Sequence, residues 1–272
     1  MKKFDIVKLD WEERFGISAL GGTAVRKFSS LVLGAILTAV FYGILSLLRT
    51  RWGGTVGLEM FFPGGHAGRT FIPVLTVLLG MWTLSILLLK RSKLKVQTKA
   101  LNDLPAAGDP EEQRKILSER FDKVEDFIAA AAMAERCKLD AQGLSELEIT
   151  GVMESYFNDV EKDVDNTYMP VSCFIWSIPV LGFIGTVLGL AKAVSNFGFL
   201  SGTGDKASFE AVLPQITGGL ATAFETTLIA LIMALILQIF SSFLNQSELA
   251  FITKVKSAVM QKNCSKQEQS EE

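Results

Sequence analysis

The sequence is poor in the residues that most soluble enzymes use for catalysis. Among its 272 residues there is one histidine, His66, and there are three cysteines, Cys137, Cys173 and Cys264. The odd number and wide spacing of the cysteines support neither a disulfide framework nor a zinc site. A single histidine excludes most histidine-based active sites. We therefore expect no catalytic residue, no metal ion and no cofactor.

Charged residues are also scarce, and the two signs nearly cancel. The chain has 27 lysine and arginine residues against 29 aspartate and glutamate residues, which gives a formal net charge of −2. Nucleic-acid binding requires an excess of positive charge, so we expect no nucleic-acid partner. The charges leave four long gaps, which run from Lys27 to Arg49, from Arg69 to Lys90, from Asp165 to Lys192 and, interrupted only by Glu225, from Ala211 to Ser247.

These four gaps predict membrane-spanning helices. About 20 apolar residues cross the hydrocarbon layer as a helix, because each adds about 1.5 Å to a layer about 30 Å thick. A soluble α-helical protein with buried helices is the other interpretation, but four such stretches in one chain disfavour it. We expect an all-α, polytopic membrane protein with four transmembrane helices, the third continuing a long cytoplasmic helix.

Lysine and arginine near the span ends predict the orientation. Five of them crowd the end of the second span: Lys90, Arg91, Lys93, Lys95 and Lys99. This density predicts that both termini and the segment between spans two and three are cytoplasmic. The expected divisions are a cytoplasmic amphipathic segment 1–27, transmembrane helices 1 and 2 with a short periplasmic loop over 28–90, a cytoplasmic helical region 91–168, transmembrane helices 3 and 4 over 169–246, and a cytoplasmic tail 247–272. The first segment suits either a helix on the membrane surface or a loosely ordered leader.

Helix signals divide the region between the second and third spans. Residues 109–112 (Asp-Pro-Glu-Glu) offer an N-cap, a proline in the first turn and acids near the helix start. Apolar residues then recur at three-to-four spacing over 116–131, which predicts a first helix. Ser145 and Glu148 form a capping-box pattern, and the second helix is expected to run from about Ser145 to about Ala193. Its acids form either a solvated face or a docking site for a basic partner.

The third and fourth spans each carry a stripe of small and hydroxyl-bearing residues. On the third, Gly182, Gly185 and Gly189 share one face, with Thr186 beside it. Such a face lets a second helix approach closely within a membrane. On the fourth, a rotation of about 100° per residue places on one side Gly218, Gly219, Thr222, Glu225 and Thr226, with Thr227 turned about 100° from Thr226.

An acid within an apolar span is costly and usually faces the interior of a helix bundle. Together with the hydroxyls, Glu225 favours a polar, partly hydrated path for a small cation, in which threonines relay the ion and the acid carries or tunes it. The other interpretation is structural. The hydroxyls then bond to their own helix, and Glu225 is a protonated or lysine-paired acid.

These two spans resemble the MotA/TolQ/ExbB proton-channel family. The resemblance covers mainly residues 171–244 and lies in two motifs, Pro179-x-Leu181-Gly182-x-x-Gly185-Thr186-Val187-x-Gly189 and a threonine-rich fourth span ending Thr226-Thr227-Leu-Ile-Ala-Leu. It implies that Thr186 and Thr227 are the paired threonines of the channel. It also implies that Pro179 lies near the gate of the channel.

The resemblance further implies a bacterial inner-membrane protein that converts ion flow into mechanical work. Five copies would surround the single spans of a MotB/TolR/ExbD-like partner, whose membrane aspartate takes the transported H⁺ or Na⁺. ExbB-like members carry an acid at the position of Thr222, whereas here the acid is Glu225. The four spans resemble MotA, whereas the motifs are closer to TolQ and ExbB.

Two other functions stay open at this point. A secondary transporter is one, although no internal repeat joins the two halves of the chain. A membrane scaffold without ion conduction is the other, and it explains the glycines but not the hydroxyls and the acid. No nucleophile and base pattern indicates an enzyme.

Overall fold

The structure is a computed structural model, which describes residues 23–25, 27–52, 59–62, 71–102, 115–119, 121, 124–200 and 206–260. Its main elements are α1 (Lys27–Trp52), α2 (Ile72–Asn102), a 3₁₀ helix (Val124–Asp126), α3 (Ile128–Ala141), α4 (Glu146–Leu200) and α5 (Lys206–Met260). No β-strand occurs within the described residues. The prediction of an all-α fold is confirmed.

Within the part of the chain that the structure describes, four helices are long and apolar enough to cross a membrane: α1, α2, α4 and α5. Each contains one of the four charge-poor stretches, so the predicted number of spans is confirmed. Pro73 is the second residue of α2, where its missing N–H removes no helical hydrogen bond. The segment 1–22, the predicted helix start at 109–112 and the tail after 260 lie outside the described residues.

Contacts between residues divide the chain into two compact units. The first, here called the apolar unit, comprises Ser30–Ile86 and Pro170–Ser241. The second, here called the polar unit, comprises Met1–Ser29, Leu87–Met169 and Ser242–Glu272. Helices α2, α4 and α5 each contribute residues to both units.

In the apolar unit, a small residue and two hydroxyls hold α1 against α2. A Cβ added to Gly34 would lie 2.7 Å from the Cα atom of Trp82, so the two backbones approach closely there. The indole N–H of Trp82 donates to the Ser30 hydroxyl at 3.2 Å, and the Ser85 hydroxyl donates to the Ser30 carbonyl at 2.6 Å. Close approach and hydrogen bonds of this kind drive helix association within membranes.

Large apolar side chains on α4 and α5 point away from the interior of the apolar unit. Trp176 is 74% exposed, Phe183 is 67% exposed and Phe224 is 66% exposed. Exposure of such an apolar surface to water is unfavourable, whereas contact with lipid or with another protein removes this free-energy cost. The apolar unit is therefore suited to a membrane environment.

In the polar unit, the predicted capping box begins α4. The Glu148 carboxylate accepts hydrogen bonds from the Ser145 hydroxyl at 2.7 Å and from the Ser145 N–H at 2.9 Å. The Glu148 N–H donates to the Ser145 hydroxyl at 3.4 Å. The hydroxyl, and then the N–H, favour the charged carboxylate and lower the pKa of Glu148. The helix continues past the predicted end near Ala193 to Leu200, with Pro170 and Pro179 inside it.

The continuous first helix predicted over 116–131 is wrong. The chain is helical over 115–119, forms the 3₁₀ helix at Val124–Asp126, and begins α3 only at Ile128. The apolar spacing includes three buried side chains, Leu117, Phe121 and Phe127, whereas Val124 and Ala131 on the same spacing are only half-buried. It does not determine the path of the backbone between them.

The break before α3 is stabilised by a side chain from α2. Nε2 of Gln97 donates to the Asp126 carbonyl at 2.7 Å, and Oε1 of Gln97 accepts from the Ile128 N–H at 3.1 Å. These bonds satisfy backbone groups that a continuous helix would have paired. The buried rings of Phe121 and Phe127 pack across the break, with centroids 4.9 Å apart.

A buried arginine on α3 links the end of α5 to the start of α4 in the polar unit. Arg136 on α3 is 5% exposed, and its Nη1 donates to the carbonyls of Val259 at 2.8 Å and Met260 at 3.3 Å, at the end of α5. Carbonyls in a last helical turn have no partner within their own helix. Nη2 of Arg136 lies 3.2 Å from Oε2 of Glu146, the first residue of α4.

Candidate functional site

Helices α4 and α5 run antiparallel and touch along the glycine face predicted for the third span. A Cβ added to Gly182 would lie 2.6 Å from the Cβ atom of Ala230. At Gly189 the two backbones meet, because an added Cβ would lie 2.7 Å from the carbonyl oxygen of Gly219. Glycine is required there because no other residue permits this approach.

We expect a Gly189→Leu variant to lose the α4–α5 contact. Even its Cβ would meet backbone, so the helices must separate, and overpacking of this kind costs about 1–3 kcal/mol. The Tm of the detergent-solubilised protein should fall. Gly151→Leu is the matched control, because Gly151 lies on the same helix with no heavy atom within 4 Å of an added Cβ. Equal Tm values for the two variants would contradict the packing.

Thr186 and Thr227 meet at this interface. Their hydroxyls are in hydrogen-bond contact with each other. The Thr186 hydroxyl lies 3.2 Å from the carbonyl oxygen of Gly182 and 3.2 Å from that of Ala223. The Thr227 hydroxyl lies 3.1 Å and 3.3 Å from the same two oxygens. The structure thus joins the two threonines in a four-oxygen network across α4 and α5.

This network has fewer protons than acceptor positions. Its two hydroxyls supply two protons, whereas the two hydroxyl oxygens and two carbonyl oxygens can all accept. The hydroxyl protons can therefore reorient while hydrogen bonds are kept. Thr186 and Thr227 are half-buried, so one side of the pair can meet water, a small cation or a polar group of another chain.

Two other threonines of the predicted path are deeply buried. Thr222 is 3% exposed and Thr226 is 1% exposed. The Thr222 hydroxyl donates to the Gly218 carbonyl at 2.8 Å, and the Thr226 hydroxyl donates to the Ala223 carbonyl at 3.0 Å. Both bonds lie within α5, as the structural interpretation requires. A role for these hydroxyls in an ion path stays a prediction.

The remaining predicted residues flank the interface. Glu225 and Gly218 are half-buried on α5, whereas Pro179 is half-buried inside α4. Gly185 is covered by Thr226, since an added Cβ would lie 2.5 Å from the Thr226 hydroxyl oxygen. In the described ranges, no group of three or more histidine, cysteine, aspartate or glutamate side chains could hold a metal ion.

The segment that contains this interface is shared with known proteins. Residues 120–257 match the model of the MotA/TolQ/ExbB proton channel family. The match covers just over half of the chain and includes both threonines of the pair. The chain belongs to this family. The resemblance seen in the motifs is therefore confirmed. No curated protein and no solved structure gives a significant match.

Membership of the MotA/TolQ/ExbB family, with four apolar helices, identifies a multi-pass membrane protein of a channel family. The matched segment begins before α3 and ends within α5, so α1 and α2 lie outside it. A buried ion pair joins Lys90, outside the match, to Glu248, inside it, and was not predicted from the sequence. Each residue has the sequence context of an ordinary charge at the end of a span, so no local signal indicated the pair.

Proposed function

We propose that this protein is the channel subunit of a bacterial inner-membrane complex that converts the flow of H⁺ or Na⁺ into mechanical work. Five copies surround the single spans of a MotB/TolR/ExbD-like partner, whose membrane aspartate takes the ion. Thr186 and Thr227 supply the polar lining. The observation that carries the proposal is their hydroxyl pair, at a glycine-lined contact between two apolar helices.

The hydroxyl pair suits a site where charge comes and goes. An ion or carboxylate within a membrane is costly unless polar groups replace its water. A threonine hydroxyl donates to an ionised partner carboxylate and accepts from a protonated one. Thr186 and Thr227 can therefore stabilise both states of the partner. In this role they bind and orient, and the titrating group belongs to the partner chain.

Other residues have supporting roles in the proposal. Pro179 has no N–H, so the carbonyl of Ile175, four residues earlier, lacks its helical partner, which permits a local bend near the gate. Glu225 tunes the electrostatics of the path. The packed glycines keep the threonines of α4 and α5 at a fixed separation.

The charge distribution supports an orientation for the complex. The basic residues after the second span favour cytoplasmic termini, with the polar unit in the cytoplasm. The exposed aromatic side chains of α4 and α5 would then contact lipid or neighbouring copies.

Ion flux into liposomes tests the proposed function. The purified protein is reconstituted with and without a MotB/TolR/ExbD-like single-span protein, and an ion gradient is imposed. We expect flux that requires both proteins and stops when the membrane aspartate of the partner is replaced by asparagine. Ion-coupled uptake of an organic solute would instead identify a secondary transporter. Stable assembly without any flux would identify a scaffold.

A further inference from the structure

The Lys90–Glu248 ion pair is fully buried within the polar unit. Both side chains are 1% exposed, and Nζ of Lys90 lies 3.0 Å from Oε2 of Glu248. The pair between Lys162 and Asp159 is different, because its side chains are 74% and 70% exposed. Burial removes the hydration of both charges at the first pair, so each charge depends on the other.

This pair joins three helices. Lys90 belongs to α2, and its ammonium donates at 2.7 Å to the Thr167 hydroxyl and lies 4.1 Å from the centre of the Tyr168 ring, both on α4. Glu248 belongs to α5. Helices α4 and α5 carry the threonine pair, whereas α2 lies outside the matched family segment. The ion pair thus connects α2 to both helices of the proposed ion path.

Glu248 retains an oxygen that can take a proton. Its Oε2 accepts from Lys90, whereas its Oε1 and the Tyr168 hydroxyl, which faces the carboxylate, are buried and make no hydrogen bond of standard geometry. A proton on Oε1 would neutralise the carboxylate and leave the Lys90 ammonium buried without a counter-charge. Since that state is unfavourable, protonation favours separation of the pair.

We propose that Lys90 and Glu248 form a proton-sensitive joint, closed while Glu248 is ionised and opened when Glu248 takes a proton, which releases α2 from α4 and α5. The other charged or titratable groups facing the joint are Lys93 on α2 and Asp165 and Tyr168 on α4. Lys93 donates to the carbonyl of Ala24. The link from this joint to ion flow rests on the proposed function, whereas the opening of the joint does not.

Hydrogen exchange of the full-length protein in detergent tests the joint. We expect amide exchange in peptides covering residues 87–102 to rise at least about tenfold in the Glu248→Gln variant, which corresponds to about 1.4 kcal/mol. Glutamine has nearly the shape of protonated glutamate and, like it, carries no charge. After correction for intrinsic rates, wild-type exchange in these peptides should rise as the pH falls, and exchange in Glu248→Gln should not respond.

Two further variants separate opening from general unfolding. Lys90→Met combined with Glu248→Leu replaces the pair by apolar side chains of similar size, and α2 should then stay closed at every pH. Asp159→Asn removes the exposed pair and should match the wild type. If Glu248→Gln raises exchange throughout the chain, the wild type is compared with the double apolar variant. The joint then requires exchange in residues 87–102 to depend on pH in the wild type and to be independent of pH in the double variant.

Unchanged exchange in Glu248→Gln, or wild-type exchange that is independent of pH, would overturn the joint. Ion flux of the reconstituted complex is measured in parallel. Ion flux combined with α2 exchange that does not depend on pH would reject the joint and leave the proposed function standing. A pH response in α2 without flux would support the joint and reject the proposed function.

Discussion

Replacing Thr227 by valine is expected to reduce ion-driven work strongly while leaving the complex assembled. Valine has the shape of threonine but no hydroxyl, so the packing of α4 against α5 is retained. The network loses one of its two protons and one of its acceptors. Thr186 keeps the carbonyls of Gly182 and Ala223 as acceptors, but no hydroxyl remains on α5 at the pair to exchange hydrogen bonds with it.

The loss should be large enough to measure directly. A hydrogen bond to a charged group contributes about 1.5–3 kcal/mol, which corresponds to a fall in ion flux of about 10- to 150-fold. Flux into liposomes and the oligomeric state by native mass spectrometry are the two readouts. Thr217→Val is the matched control, because Thr217 is exposed on α5 and bonds only to carbonyls of its own helix. Full flux in both Thr186→Val and Thr227→Val would exclude the pair from the path.

The second large effect concerns stability. Replacing Arg136 by alanine is expected to lower the free energy of unfolding by about 2–4 kcal/mol. The variant loses charged hydrogen bonds to the carbonyls of Val259 and Met260 and leaves these groups without their partner at the end of α5. It also loses the contact with Glu146 at the start of α4.

Denaturant unfolding of the detergent-solubilised protein measures this loss. Lys138→Ala is the matched control, since Lys138 lies on the same helix in an exposed pair with Glu135. Such pairs contribute about 0–1 kcal/mol. Arg136→Lys should recover part of the stability, because lysine keeps the charge but not the forked geometry. Equal losses for Arg136→Ala and Lys138→Ala would contradict the structural role of the arginine.

Features that depend on neighbouring residues were predictable from the sequence. Each span is an uninterrupted apolar stretch, and the start of α4 depends on Ser145 and Glu148, three positions apart. The close helix contact followed from the shared face of Gly182, Gly185 and Gly189. In each case the physical cause lies within a few turns of one helix.

Contacts between distant parts of the chain were not predictable in this way. Lys90 and Glu248 are 158 positions apart, and hydropathy treats both as ordinary charges beyond a span. The break before α3 depends on Gln97, 29 positions from Asp126. Periodicity reports which face is buried, and it contains no information about a side chain that replaces backbone hydrogen bonds.

The candidate site was predictable only in part. Helical rotation placed Thr227 about 100° from Thr226, which alone did not bring Thr227 to Thr186. Only the family resemblance paired these two threonines. The structure shows that both neighbours contact α4, since Thr226 covers Gly185 while the Thr227 hydroxyl reaches Thr186. Because the two helix backbones approach closely, the surface of α5 that contacts α4 extends beyond the single stripe predicted from the sequence.

Access of water to the threonine pair in the assembled complex is the most direct test of the account. In a chain whose native cysteines are replaced by alanine, Thr227→Cys is exposed to a charged, water-soluble thiol reagent. Phe224→Cys, at an outward apolar position on the same helix, serves as the comparison. We predict rapid modification at position 227 and slow modification at position 224. Rapid modification at 224 with none at 227 would place the hydroxyls away from water and contradict the account.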